Sequence, residues 1–171
     1  MVTSHEGADL VLKLYDMRRE TTMREARDWY RTRFNPESSG EIVAVLEGPQ
    51  SAFFRMVVSY WDMAAALVNH GTIEEGFFND VNVEHVGTFA KVEPFVVELR
   101  AALGNPDFLI QLERLVMRVP NAEARLAAVR KQSREAGAPA TAAAPDPASP
   151  LAVRSPSGEP AGTPSRQQPL G

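Results

Sequence analysis

The sequence predicts an all-α fold, a single compact bundle of about six to seven helices around a central apolar helix near residues 50–69. Three observations predict it. Apolar residues recur at three- and four-residue steps, and no segment sustains a period of two, so no sheet is expected. All thirteen aromatic residues lie between Tyr15 and Phe108, whereas eight of the thirteen prolines lie between Pro139 and Pro169. The chain is thus two materials joined near Gly137. Residues 1–7 are expected to be a short flexible N-terminus and 8–135 the helical domain. Residues 136–171 form a tail rich in Pro, Ala and Ser, too poor in large apolar side chains to offset its ordering entropy, and are expected to be disordered. A folded part of about 130 residues buries roughly two thirds of its unfolded surface, enough for one core.

The first helix is expected over Ala8 to about Arg33. Polar residues recur at Asp9, Lys13, Asp16, Glu20, Arg24, Arg27 and Arg31, opposite Val11, Tyr15, Thr22, Ala26 and Trp29. Glu20 and Arg24 stand at i,i+4, and Pro36 disfavours helical geometry at Asn35. Ser38 and Glu41 have capping-box spacing for a short helix through Leu46, and Gly48-Pro49 breaks the chain.

The third helix, about Gln50 to Asn69, is the predicted centre. Its polar residues fall on one band, Ser51, Arg55, Ser59, Asp62 and Asn69; almost everything else is apolar, so neighbours are required on several sides. Each large side chain it buries fully contributes about 1.5–3 kcal/mol. Gly71 supplies the stop, with His70 at the negative end of the helix dipole. Thr72 and Glu75 repeat the capping-box spacing for a helix from Ile73. The next helix, from about Asn82, keeps its stripe (Phe89, Val92, Val96, Leu99, Leu103) straight through Pro94, where a kink or brief break is expected. Gly104 ends it, and Asn105-Pro106 predicts a cap with proline at the first helical position. Pro120-Asn121 precedes a last helix with a thin apolar edge at Leu126 and Val129.

Composition narrows the function classes. With no cysteine, disulfides, thiolate metal sites and thiol nucleophiles are excluded, which suits a reducing compartment. The N-terminal residues lack the basic and apolar regions of a secretory leader, and Ala52–Val68 carries Arg55 and Asp62 and is short for a bilayer span. A cytoplasmic protein with no membrane partner is expected. Residues 37–113 hold twelve acidic residues against Arg55, Lys91 and Arg100, while 114–135 hold six basic ones against Glu123 and Glu135. An acidic centre argues against nucleic acid as a partner.

Asp62 is the most informative residue. An unpaired buried carboxylate costs several kcal/mol, so it must reach water, find a partner or take up a proton. Arg55, two turns earlier with Ser59 between, makes a polar network sterically reasonable, and Arg24, Arg27 or Arg31 are further candidates. Packing of helices by such a network competes with a ligand pocket bordered by Tyr60 or Trp61. The set Asp62, His70, Asp80, Glu84 and His85 offers metal-type ligands, but Glu84 and His85 are adjacent and diverge by about 100° on a helix. No Glu-x-x-His or His-x-x-x-His occurs, so no metal and no other cofactor is expected. Gly-x-Ser-x-Gly, Gly-x-Gly-x-x-Gly and Walker A patterns are absent. The candidate binding residues are Arg55, Ser59, Trp61, Asp62 and His70, with no catalytic residue.

The strings Ala26-Arg27-Asp28-Trp29, Phe34-Asn35-Pro36, Tyr60-Trp61-Asp62-Met63-Ala64-Ala65-Ala66-Leu67-Val68-Asn69-His70-Gly71 and Gly104-Asn105-Pro106 resemble a family of short, uncharacterised bacterial proteins over about residues 8–130. The resemblance implies a small α-helical cytoplasmic protein of bacterial origin and no activity; the tail departs from the family. The expected function is a non-enzymatic module that binds a protein partner or a second copy of itself. The alternative is a small-molecule-binding protein or enzyme using Arg55, Ser59 and Asp62.

Overall fold

The computed structural model describes residues 4–137, which fold into nine α-helical segments and one 3-10 turn. They are α1 (Ser4–Arg19), α2 (Thr21–Thr32), α3 (Ser39–Glu47), α4 (Ser51–Asn69), α5 (Glu75–Val81), α6 (Glu84–Val92), the 3-10 turn Glu93–Phe95, α7 (Val96–Ala102), α8 (Ile110–Val116) and α9 (Ala122–Gly137). The expected disorder of the tail lies outside the described residues from position 138 onward.

α4 is the hub. α2, α3, α5, α6 and α8 all pack on it, and it buries Phe54, Val57, Val58, Tyr60, Trp61, Ala64, Ala65 and Val68. Trp61 is 1% exposed, which settles that this segment is enclosed. The helix ends as its sequence predicts: Gly71 takes φ +72°, a left-handed value suited to glycine. That turn lets the Gly71 amide donate to the Val68 carbonyl at 2.9 Å and the Thr72 amide to Leu67 at 2.8 Å.

Four expectations are corrected. The single helix over 8–33 is two helices, broken at Glu20, whose ψ of 140° is extended. Its carboxylate accepts the Met23 amide at 2.8 Å, capping α2 instead of pairing with Arg24. That bond holds the Glu20 carboxyl below its usual range. The first helix begins at Ser4, ahead of the expected Ala8, and Gly7 within it is buried where a Cβ would lie 3.6 Å from the Thr72 carbonyl oxygen. α5 starts at Glu75 because Glu74 is the effective cap, its carboxylate accepting the amides of Gly76 at 2.8 Å and Phe77 at 2.5 Å. Asn105-Pro106 opens a turn, not a helix. The Asn105 side chain accepts the Asp107 amide at 3.1 Å, Leu109 takes φ 55°, and α8 begins only at Ile110.

Elsewhere local chemistry places the elements as expected. Ser38 caps α3 through the Glu41 amide at 3.2 Å, and Pro94 falls inside the 3-10 turn between α6 and α7. The division into nine segments instead of about seven follows from these caps and breaks.

Candidate functional site

The predicted polar stripe does not form a network. Arg55 is exposed and donates to Ser51 Oγ at 3.1 Å; Ser59 is exposed and donates weakly to the Met56 carbonyl at 3.5 Å. Asp62 does find a partner, on another helix: its Oδ1 accepts the Leu112 amide at 2.8 Å. α8 needs this, since Leu109, at its N-terminus, contributes no side-chain cap. Asp62 is therefore an N-cap supplied from α4 to the third residue of α8. Its carboxyl is raised above the usual value by burial, which the Leu112 and Gln111 amides oppose. His70 is exposed at the C-terminus of α4, its amide donating to the Ala66 carbonyl at 3.0 Å.

The chemistry gathers instead around α6, whose two sides face two cavities. On one side, Glu84 holds two guanidinium groups. Arg27 grips it with Nε at 2.7 Å and with Nη2, while Arg18 Nη2 lies at 3.2 Å. The Arg27 guanidinium is held further into its charged form by the Glu84 hydrogen bond. Arg18 also donates to Asn82 Oδ1 at 3.0 Å and lies over the Trp61 ring, 5.2 Å from its centroid.

Two turns along α6, Lys91 is buried, with Nζ donating to three carbonyls: Tyr30 at 2.9 Å, Arg31 at 2.9 Å and Phe34 at 2.8 Å. These are carbonyls of the last turn of α2 and the segment after it, where the helix leaves acceptors unpaired and its dipole is negative. Burial, aided by the Arg31 charge, pushes the ammonium down to about 8, which leaves it protonated at neutral pH. The Tyr30 hydroxyl donates to the Thr88 carbonyl at 2.9 Å, and the same side of α6 contributes Gly87. With α2 and Ser133 of α9, these residues enclose a cleft of about 450 Å³.

On the other side lies His85, 1% exposed. Its ring centroid is 5.3 Å from that of Phe78 and 5.9 Å from that of Trp61. Among the described residues neither ring nitrogen makes a hydrogen bond of good geometry, the Asn82 backbone offering only a weak contact that favours the charged form, and the buried Asn79 Oδ1 likewise has no partner. Burial, with a contribution from the Arg125 charge, pushes the imidazole down to about 4, so it is neutral at physiological pH. His85 and Asn79 line a cavity of about 570 Å³ with Val83, Val86, Val119, Pro120 and Val129 on its apolar walls. Glu75, Asp80, Arg118 and Arg125 supply its charges, with Glu75 and Arg118 paired at 2.8 Å. Glu84 and His85 thus diverge as adjacent helical residues must, one to arginines and one to aromatics. Among the described residues no three His, Cys, Asp or Glu come together as a metal site.

Of the five candidate binding residues only Trp61 lies near a cavity, behind His85, whereas Arg24, Arg27, Arg31, Asp80, Glu84 and His85, named from the sequence in other connections, line the two cavities. Lys91, Arg18, Asn79 and Asn82 were missed. For Lys91 a signal existed: a lone lysine in the apolar run Phe89-Ala90-Lys91-Val92.

Fold and cavities together define an all-helical domain built on a central buried helix, with two cavities separated by α6. No helix among the described residues is long and apolar enough to cross a membrane. The chain belongs to the family described as a domain of unknown function, DUF4760, which matches residues 3–119. α9, which contributes Ser133 to one cavity and Arg125 and Val129 to the other, lies beyond that match. No curated protein and no solved structure matches the chain significantly.

Proposed function

We propose that this protein is a non-enzymatic binder of a small uncharged molecule, held in the cavity beside His85. One observation carries the reading: an imidazole whose two nitrogens lack a well-formed hydrogen bond, at the wall of a cavity of ligand size lined by both apolar and charged side chains. A neutral imidazole offers one donor and one acceptor, and Asn79 adds an acceptor. The complementary ligand carries a donor beside an acceptor on a flat frame, as lactams, amides and nucleobases do. The expected result is that uracil, nicotinamide or 2-pyrrolidone at millimolar concentration raises the melting temperature of the wild type but not of His85→Leu. A flat response across all three, or an equal rise in the variant, removes the reading.

A second reading is association with a protein partner or a second copy. What supports it is the apolar strip on α5, where Phe77 and Val81 stand at i,i+4 and are exposed, next to Val83 at 78% exposure. Light scattering is expected to show a dimer that Val81→Glu splits; a monomer at all concentrations removes this reading. For either reading we place the protein in the bacterial cytoplasm, without nucleic acid or membrane as partner.

A further inference from the structure

We propose that the cleft between α2, α6 and α9 is a second ligand site, one that takes a small polyanion with adjacent phosphate-type charges. It shares only Gly87 of α6 with the lining of the His85 cavity and does not depend on the function proposed for that cavity.

Arg24, Arg27, Arg31 and Lys91 line the cleft, against the carboxylates of Asp28 and Glu84. Two carboxylates thus face four cations in the cleft, and one of the two, Glu84, is also neutralised from outside the cleft by Arg18. This local excess sits in a chain whose net charge is −4. Surface charge of one sign inside a concave, partly apolar cleft focuses the field on whatever enters it.

The cations are not equivalent, and their differences fit a binding role. Lys91 is fixed by three carbonyls and cannot move, so it contributes charge without donors. Arg27 is locked by Glu84 and is likewise preorganised. Among the described residues the Arg31 guanidinium pairs only with Asp28 on the same helix, at 2.8 Å, with both side chains largely exposed. Such a pair is worth at most about 1 kcal/mol and yields readily to a stronger anion. Arg24 is exposed, and among the described residues its guanidinium makes no hydrogen bond or ion pair. Arg24 and Arg31 stand seven residues apart on α2, two turns along one face, with Arg27 between them. Two free or weakly held forks thus flank two fixed charges, an arrangement suited to two adjacent phosphate groups.

The cleft volume of about 450 Å³ suits a small molecule, not a polymer. The arginine row is one face of one short helix, and Asp28 interrupts it, which disfavours a continuous phosphate backbone.

The test uses the full chain and inorganic pyrophosphate, followed by calorimetry at low salt. Saturable one-site binding is expected, weakened about tenfold by Arg24→Ala, as loss of one charge-assisted fork implies. It is expected to be unchanged by Arg55→Ala, an exposed arginine tied only to Ser51 on α4, and by His85→Leu. Because the Arg24 guanidinium has no partner among the described residues, Arg24→Ala is expected to leave the fold intact, which a circular dichroism melt checks. Three outcomes overturn the proposal. One is no binding up to roughly 10 mM, weaker than any preorganised site of this charge should be. Another is equal weakening by Arg55→Ala, which would mark diffuse attraction. The third is a single-stranded oligonucleotide displacing pyrophosphate at far lower concentration, which would make the partner a nucleic acid.

Discussion

Lys91→Met is expected to lower the unfolding free energy by about 3 kcal/mol, from loss of partners for buried carbonyls that cost roughly 1–3 kcal/mol each when left unpaired. Methionine keeps most of the apolar stem and volume, so the change isolates the ammonium group. With that group gone, the carbonyls of Tyr30, Arg31 and Phe34 lose their shared donor. None of the three has another route to a partner through α2, because the amides of Arg33 and Phe34 both turn back to Trp29. Lys91→Arg is not expected to rescue, since a planar fork cannot point three donors at one converging set of oxygens. Urea unfolding measures the effect as a lowered midpoint with the slope unchanged. A loss below about 1 kcal/mol would show that the carbonyls are solvated when the lysine is removed.

This residue also shows where sequence reasoning stops. Periodicity identified α4 and its enclosure, because an apolar arc that wide has a single physical solution. It also located the stops at Gly71 and Pro94, where backbone geometry is set by the residue itself. The break at Glu20 was not legible. A glutamate between helical stretches is as good a helix former as its neighbours, and only the turn of its carboxylate to the Met23 amide makes it a cap. Asp62 was correctly singled out as a carboxylate in need of a partner, but a partner on α8 depends on a helix crossing that one-dimensional spacing cannot encode. Arg55 and Ser59 share its stripe on the wheel, yet α8 covers only the end of that stripe nearest Asp62. Long-range pairs such as Arg18–Glu84 and Lys91–Phe34 are set by tertiary packing, so the cleft lined by Glu84 and Lys91 is visible only once α1, α2 and α9 are placed around α6.

The second large effect is a steep loss of stability in mild acid, traced to His85. Its folded value of about 4 lies below the ordinary 6.5 of an accessible imidazole. Between those values the unfolded chain binds a proton that the native protein refuses. Stability from this group is therefore complete above about pH 6.5 and falls as pH drops toward 4. At pH 5 the imbalance is about 1.5 pH units, or about 2 kcal/mol, and it approaches about 3 kcal/mol near pH 4. His85→Gln is neutral throughout, so the difference between the two proteins' unfolding free energies should shrink by about 2 kcal/mol from pH 8 to pH 5 even if glutamine costs stability at both. His5 and His70 are exposed and present in both proteins, so they cancel from the comparison. Should the variant fail to fold, the His85 ring proton followed by NMR in the wild type supplies the same answer. A midpoint near 6.5 would mean that the imidazole is hydrated through the cavity, and the acid lability would then have to come from carboxylates such as Glu20 and Glu74. Their amide bonds hold them below the usual range, so their contribution would appear only below about pH 4.5, well under the window assigned to the histidine.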